Sequence, residues 1–303
     1  MVATNQMKLK PAWGAIEAGG TKFNCMLADE HSRILAQTRI STTSPSATLA
    51  AAADFFKQPQ LGFALQALGI ASFGPVELNP QAKHYGWITH TPKPGWAHTD
   101  LVGYFRQALA LPIGFQTDVN AAALGEWHFG AAQGLRNFVY VTIGTGIGAG
   151  IVSHGKLVQG ISHPELGHMY IPQKALWDSF QGTCPFHKNC LEGLASGPAM
   201  AARWNAPAET LSADHPAWVL QANYLALMCV NITLMFAPQK IILGGGVMQH
   251  APLFALVREQ FNQLMAGYGQ GQELSDLNTY ITPPGRPEQS GILGAWVLAK
   301  SAL

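Results

Sequence analysis

The chain has 303 residues, with 18 basic and 17 acidic side chains and a formal charge of +1. That balance gives no electrostatic case for nucleic acid, whose recognition usually needs a concentrated basic face, nor for an anionic membrane surface. Hydrophobic residues make up 48% and charged ones only 12%, which excludes disorder, while 32 glycines and 19 prolines argue for many tight turns over a helical bundle.

After a tail of about a dozen residues, with Lys8, Lys10 and Pro11 and no apolar run of signal-sequence type, Ala12 to Asp29 predicts two strands around the turn Glu17-Ala18-Gly19-Gly20-Thr21. A strand at Ile34 to Ile40, an alanine-rich helix at Ala47 to Phe56 and a strand ending at Phe73-Gly74-Pro75 follow. Next come a helix over Leu101 to Leu109 and a strand at Ile113 to Thr117.

The same order recurs about one domain length later. Phe138 to Ile143 and Ala149 to Ser153 predict strands around Gly144-Thr145-Gly146-Ile147-Gly148. A helix at Val219 to Phe236, a strand at Ile241 to Leu243, the run Gly244-Gly245-Gly246, another helix and a strand near Tyr280 complete it. Two α/β lobes with a cleft between them are the economical expectation: residues 1–120 and 121–288, with a last helix in 289–303 packing back on the first. The uncharged stretch Pro216 to Gln239 is interrupted by Gln221, Asn223, Asn231 and Thr233, which suits a core helix better than lipid. Four cysteines are too few for a disulfide scaffold, so a reducing cytoplasm is expected.

Glycine lets a backbone turn sharply and lets its N–H groups approach an anion. Gly19, Gly20, Thr21 and Lys22 in the first turn and Gly144, Thr145 and Gly146 in the second are therefore candidates for holding nucleotide phosphates, with Gly244, Gly245 and Gly246 on the adenosine side. A single such turn can be a plain hairpin; two at matching places favour a nucleotide. Competing motifs fail on context: Gly144, Gly146 and Ala149 fit G-x-G-x-x-A but open a strand, and Gly150 to Lys156 resembles a P-loop until Leu157 replaces the required hydroxyl residue.

Asp118 stands where a strand end meets the alanine-rich helix start Val119-Asn120-Ala121-Ala122-Ala123. A carboxylate there is kept ionised by the helix N-terminus and can take a proton from a hydroxyl, although Asp is also a common N-cap. Cys184-Pro185-Phe186-His187-Lys188-Asn189-Cys190 presents C-x-x-H-x-x-C, a short loop suited to one tetrahedral zinc ion. His163 and His168, in His163-Pro164-Glu165-Leu166-Gly167-His168, are both candidates for a fourth ligand, and Glu165 between them can accept hydrogen bonds from polyol hydroxyls. Trp87 and Trp96 are candidates either to cover an apolar sugar face or to pack their loop.

These segments together resemble the ROK family, within it the bacterial fructokinase branch, from Ile16-Glu17-Ala18-Gly19-Gly20-Thr21-Lys22-Phe23 to Gly291-Ile292-Leu293-Gly294-Ala295. The most specific are the His163 to His168 segment, the cysteine-histidine cluster and Leu191-Glu192-Gly193-Leu194-Ala195-Ser196-Gly197-Pro198. The resemblance implies an actin-like (hexokinase-like) α/β fold with duplicated βββαβαβα domains, and ATP-dependent phosphorylation of a hexose with magnesium. It also implies Asp118 as catalytic base, Glu165, His168, Thr117 and Gly74 on the sugar side, and His168, Cys184, His187 and Cys190 around a structural zinc. A homodimer is expected by the same resemblance. Glu17 and Thr117 stand where many relatives carry Asp and Asn, which bears on substrate choice. The expected reaction is transfer to the 6-hydroxyl of D-fructose. The alternatives are glucose, mannose or an N-acetylated hexosamine as acceptor, a non-catalytic sugar-binding regulator, and a zinc-dependent hydrolase. Repressor members carry an N-terminal DNA-binding domain, for which the expected tail is too short.

Overall fold

A computed structural model describes residues 9–58, 62–173, 178–269, 274 and 276–303; the expected tail up to Lys8 lies outside them. In chain order the elements are β1 (Lys10–Ala18), β2 (Lys22–Ala28), β3 (Ile34–Ser41), α1 (Pro45–Lys57), β4 (Phe63–Ser72), β5 (Trp87–Ile88), β6 (Thr99–Asp100), α2 (Leu101–Leu109), β7 (Ile113–Thr117) and α3 (Asp118–Phe129). They continue with β8 (Phe138–Ile143), β9 (Ile147–Ser153), β10 (Lys156–Leu157), α4 (Leu191–Ala195), α5 (Gly197–Trp204), α6 (Ala217–Phe236), β11 (Lys240–Gly244), α7 (Pro252–Met265), α8 (Leu277–Tyr280), β12 (Ile281–Thr282) and α9 (Ser290–Lys300).

The chain divides into two compact units. One comprises Met1–Gly125, Ile161–His163 and Glu288–Leu303, the other Glu126–Gly160 and Pro164–Pro287. Each contains a five-stranded sheet, ordered β3-β2-β1-β4-β7 in the first and β10-β9-β8-β11-β12 in the second. Both sheets follow one plan: an antiparallel three-strand meander whose first strand then pairs in parallel with a strand arriving by a helical crossover.

In the first unit β1 is buried along most of its length, as expected for a strand covered on both faces, whereas β3 alternates along an edge. Leu68 and Ile70 of β4 are fully buried, each worth about 1.5–3 kcal/mol of apolar transfer. The last helix, α9, belongs to this unit and lies close against the sheet through small residues. A β-carbon at Gly69 would overlap the Ala295 carbonyl, one at Gly114 the Leu298 carbonyl, and one at Gly294 the Ala121 carbonyl of α3.

In the second unit α6 is the central helix. By length and composition it is apolar enough to cross a membrane, with half of that window buried. It is a core helix: Leu225, Met228 and Ile232 are fully buried. Its polar interruptions are also used, Gln221 donating to the Ala195 carbonyl at 2.7 Å and Asn223 to Gln260 at 2.8 Å.

Candidate active site and metal cluster

Strand register places the first unit's candidate residues. Ala18 pairs with Ser72 and Ser72 with Thr117, so the parallel strands β1, β4 and β7 end side by side. The turn beginning at Gly19, the segment Phe73-Gly74-Pro75 and Asp118 therefore leave the sheet at one edge. The carboxyl ends of strands are where open α/β sheets bind ligands.

Gly19 N donates to the Lys22 carbonyl at 2.9 Å, closing the β1–β2 turn, and Thr42 Oγ1 donates to the Gly19 carbonyl at 2.8 Å. Gly20 has open space around it, and Thr21 and Lys22 are exposed. The first residue of α3 is Asp118, half-buried, with Oδ1 accepting the Val119 N–H at 2.8 Å. The helix cap is instead supplied by Thr117, whose hydroxyl oxygen accepts the Asn120 N–H at 3.1 Å. Gly74 lies near His163, which is buried and whose Nε2 accepts the Val76 N–H at 3.2 Å. Trp96 is fully buried, donates from Nε1 to the Thr43 carbonyl at 2.8 Å and packs on Phe23 and Phe73. It is a loop-packing residue, not a sugar cover.

The second unit gathers its glycines in the same way. Gly244 pairs with Thr142 in parallel, so Gly144 and Gly245 leave the sheet together. Gly144 N donates to the Gly146 carbonyl at 2.9 Å, and the N–H of Gly197, at the start of α5, donates to the Gly144 carbonyl at 2.8 Å. Gly245 has φ +91°, and a β-carbon there would overlap the Ile143 carbonyl, so the third glycine segment passes the end of β8 too closely for a side chain. Gly246 and Thr145 are exposed.

Glu165 precedes the 3-10 turn Leu166–His168. Part of the residue is exposed, yet desolvation of its carboxyl, and secondarily the charge of Glu192, push its pKa up to about 7. Glu192, on α4, accepts the Ile147 N–H at 2.9 Å. Glu192 and Gly197 lie in the segment Leu191 to Pro198, whose local sequence gives neither a role.

His168, Cys184, His187 and Cys190 converge, with one ligand atom from each within 4.8 Å of the others. Cys184 Sγ is 3.7 Å from Nδ1 of both His168 and His187, and Cys190 Sγ is 3.6 Å from His168 Nδ1. Both thiols are buried. Of the two histidine candidates, His168 joins the cysteines; His163 is engaged with Val76 in the other unit.

A repeated five-stranded sheet with glycine turns at its strand ends is the actin-like sugar-kinase fold. It is shared with a ROK hexokinase from Thermus thermophilus at a TM-score of 0.76 and 24% identity, covering 96% of this chain and 98% of that one. The ROK family matches residues 13–302, and the chain belongs to it. A fructokinase of Pediococcus pentosaceus is 43% identical over 290 residues, covering 96% of this chain and 98% of that protein. A fructokinase of Zymomonas mobilis subsp. mobilis is 41% identical over 301 residues, covering 97% and 98% respectively.

Proposed function

We propose that this chain is a fructokinase, transferring the γ-phosphoryl group of magnesium-bound ATP to the 6-hydroxyl of D-fructose. The observation that carries this reading is identity above 40%, along nearly the whole of both chains, to proteins named for that activity. The site chemistry agrees with it. Phosphoryl transfer asks a protein mainly to position the acceptor and to offset charge.

In this reading Asp118 takes the proton from the sugar's 6-hydroxyl as that oxygen bonds to the γ-phosphorus and the bond from phosphorus to the β,γ-bridging oxygen breaks, releasing ADP. Thr117 supports the role by capping α3. Gly74, Thr117, Glu165 and His168 are assigned to the sugar. Glu165 offers an acceptor for its hydroxyls. The turns Gly19, Gly20, Thr21, Lys22 and Gly144, Thr145, Gly146 are assigned to the phosphates, and Gly244, Gly245, Gly246 to the adenosine side. Magnesium, carried with the nucleotide, supplies charge neutralisation.

The cluster of His168, Cys184, His187 and Cys190 is assigned to a structural zinc ion. Bond lengths of about 2.3 Å to sulfur and about 2.0–2.1 Å to nitrogen at tetrahedral angles put S and N about 3.6 Å apart. The observed separations of 3.6 and 3.7 Å match that edge. Four protein ligands would close the coordination sphere, which favours a structural over a hydrolytic ion.

The deciding experiment is an ADP-release screen with magnesium and ATP across fructose, glucose, mannose and N-acetylated hexosamines. Fructose is expected to give the highest kcat/KM. Absence of fructose-dependent ADP release would overturn the reading.

A further inference from the structure

Ile147, the first residue of β9, is gripped from two sides within the second unit. Its N–H donates to Glu192 Oε2 at 2.9 Å, and its carbonyl lies so close to Gly167 that a β-carbon there would overlap it. Gly167 immediately precedes His168, and Glu192 follows Cys190 by two residues on the short helix that begins directly after Cys190. His168 Nδ1 and Cys190 Sγ are 3.6 Å apart. A cation held by these two side chains would therefore fasten together the two segments that hold Ile147.

Directly before Ile147 runs the turn Gly144-Thr145-Gly146. A β-carbon at Gly146 would come within 2.7 Å of Glu192 Oε2, so the carboxylate lies against the turn itself. The turn's other end is tied to the same stretch of chain, through Gly197 N to the Gly144 carbonyl at 2.8 Å. A glycine-rich turn left to itself samples many conformations, and ordering it on each binding event costs affinity. One that is already fixed presents its N–H groups without that cost.

We propose that the Cys/His cluster sets the conformation of the Gly144–Gly146 turn through Gly167 and Glu192, with Glu192 as a positioning residue for nucleotide binding. The proposal rests on the assignment of this turn to nucleotide phosphates. Glu192 acts in it by accepting one hydrogen bond, not by its charge.

The test is calorimetric titration of the full chain with magnesium-ADP in the absence of sugar. It compares unaltered protein, E192A, E192Q, and each after metal removal by a chelator. E192A and metal removal are each expected to weaken nucleotide binding on the order of tenfold. E192Q is expected to bind like the unaltered protein, because its amide oxygen still accepts the Ile147 N–H. Stripping metal from E192A should add less than stripping it from the unaltered protein, since one of the two routes, that through Glu192, is already cut. Hydrogen exchange of peptides spanning Ile143 to Gly148 should quicken on stripping while the α6 core stays protected.

Nucleotide affinity unchanged in E192A, or equal loss in E192Q and E192A, would overturn the proposal. If the stripped chain unfolds, the two variants at full metal content decide alone. An unaltered chain that binds nucleotide but releases no ADP with fructose refutes the proposed reaction without touching this inference; one that binds no nucleotide overturns both.

Discussion

The Thr117 hydroxyl oxygen accepts the backbone N–H of Asn120 at 3.1 Å, which makes Thr117 the cap of the helix that Asp118 begins. In the proposed reaction the proton falls to its neighbour Asp118, which does not carry the cap. T117A should lose about 1 kcal/mol of stability, read as a lower urea midpoint, while T117S keeps it. D118N retains an oxygen for the Val119 N–H, so its unfolding curve and sugar affinity should stay close to those of the unaltered chain. Its kcat should fall by about 10²–10⁴, the usual contribution of a general base. Near-normal turnover in D118N would remove Asp118 from that role.

Gly69 of β4 faces the Ala295 carbonyl of α9 without room for a β-carbon. The methyl group of G69A would have to push the helix off the sheet, since the opposing atoms are backbone. Overpacking of this kind costs about 1–3 kcal/mol. The expected result is a lower thermal midpoint, whereas G20A, at a position with open space, should change the midpoint little. Equal midpoints for G69A and the unaltered chain would contradict the close packing of α9.

Strands flanking glycine turns were readable because apolar runs broken by glycines leave few alternatives, and β7 and α2 match their expected ranges. α4 and α5 were not. Their short stretches contain Gly193, Ser196, Gly197 and Pro198, which read locally as loop, and contacts distant in sequence define them, such as Gly197 with Gly144. Cysteine spacing announced the cluster but could not choose between His163 and His168, which flank the same glutamate. That choice depends on the 3-10 turn carrying His168 and on the Val76 N–H that engages His163. For Trp96 loop packing is the commoner reading, but the sequence leaves a sugar cover open because its neighbours Phe23 and Phe73 are remote in the chain. A single acid on a short helix, Glu192, carries no local signal that it reaches the Ile147 amide.

Burial pushes the Glu17 carboxyl above its ordinary value of 4.5, against smaller opposing pulls from the Asn24 amide and from Lys22 and Arg39. The folded chain thus holds this proton more tightly than the unfolded chain does. The associated stability is fully present below the unfolded value and is lost as pH rises through the raised folded value. E17Q can keep the hydrogen bond from Asn24 but cannot ionise. Its thermal midpoint, relative to the unaltered chain, should therefore climb as pH rises from below 4.5 toward neutrality. Parallel midpoint curves across that range would show that the buried carboxyl carries no such linkage.

Arg203 of α5 grips Asp178 with two hydrogen bonds of 3.1 Å, from Nε and from one terminal nitrogen, and both side chains are almost wholly buried. Tyr224 of α6 donates to the same carboxylate, and the guanidinium lies 4.5 Å from the Phe180 ring centroid. Removing one partner of a buried ion pair strands the other charge at a cost of about 3–5 kcal/mol. R203M should therefore lower the urea midpoint sharply, and D178N added to it should recover part of the loss by removing the stranded charge. The effect should also reach the loop of the Cys/His cluster. The Asp178 carbonyl accepts from Gln173 at 3.1 Å, and the Gln173 side-chain oxygen accepts from Asn189, between His187 and Cys190, at 3.3 Å. Loaded with zinc, R203M should consequently lose it to a competing chelator faster than the zinc-loaded unaltered chain does at a temperature where both remain folded. Unaltered stability in R203M would mean that the pair contributes nothing beyond its burial.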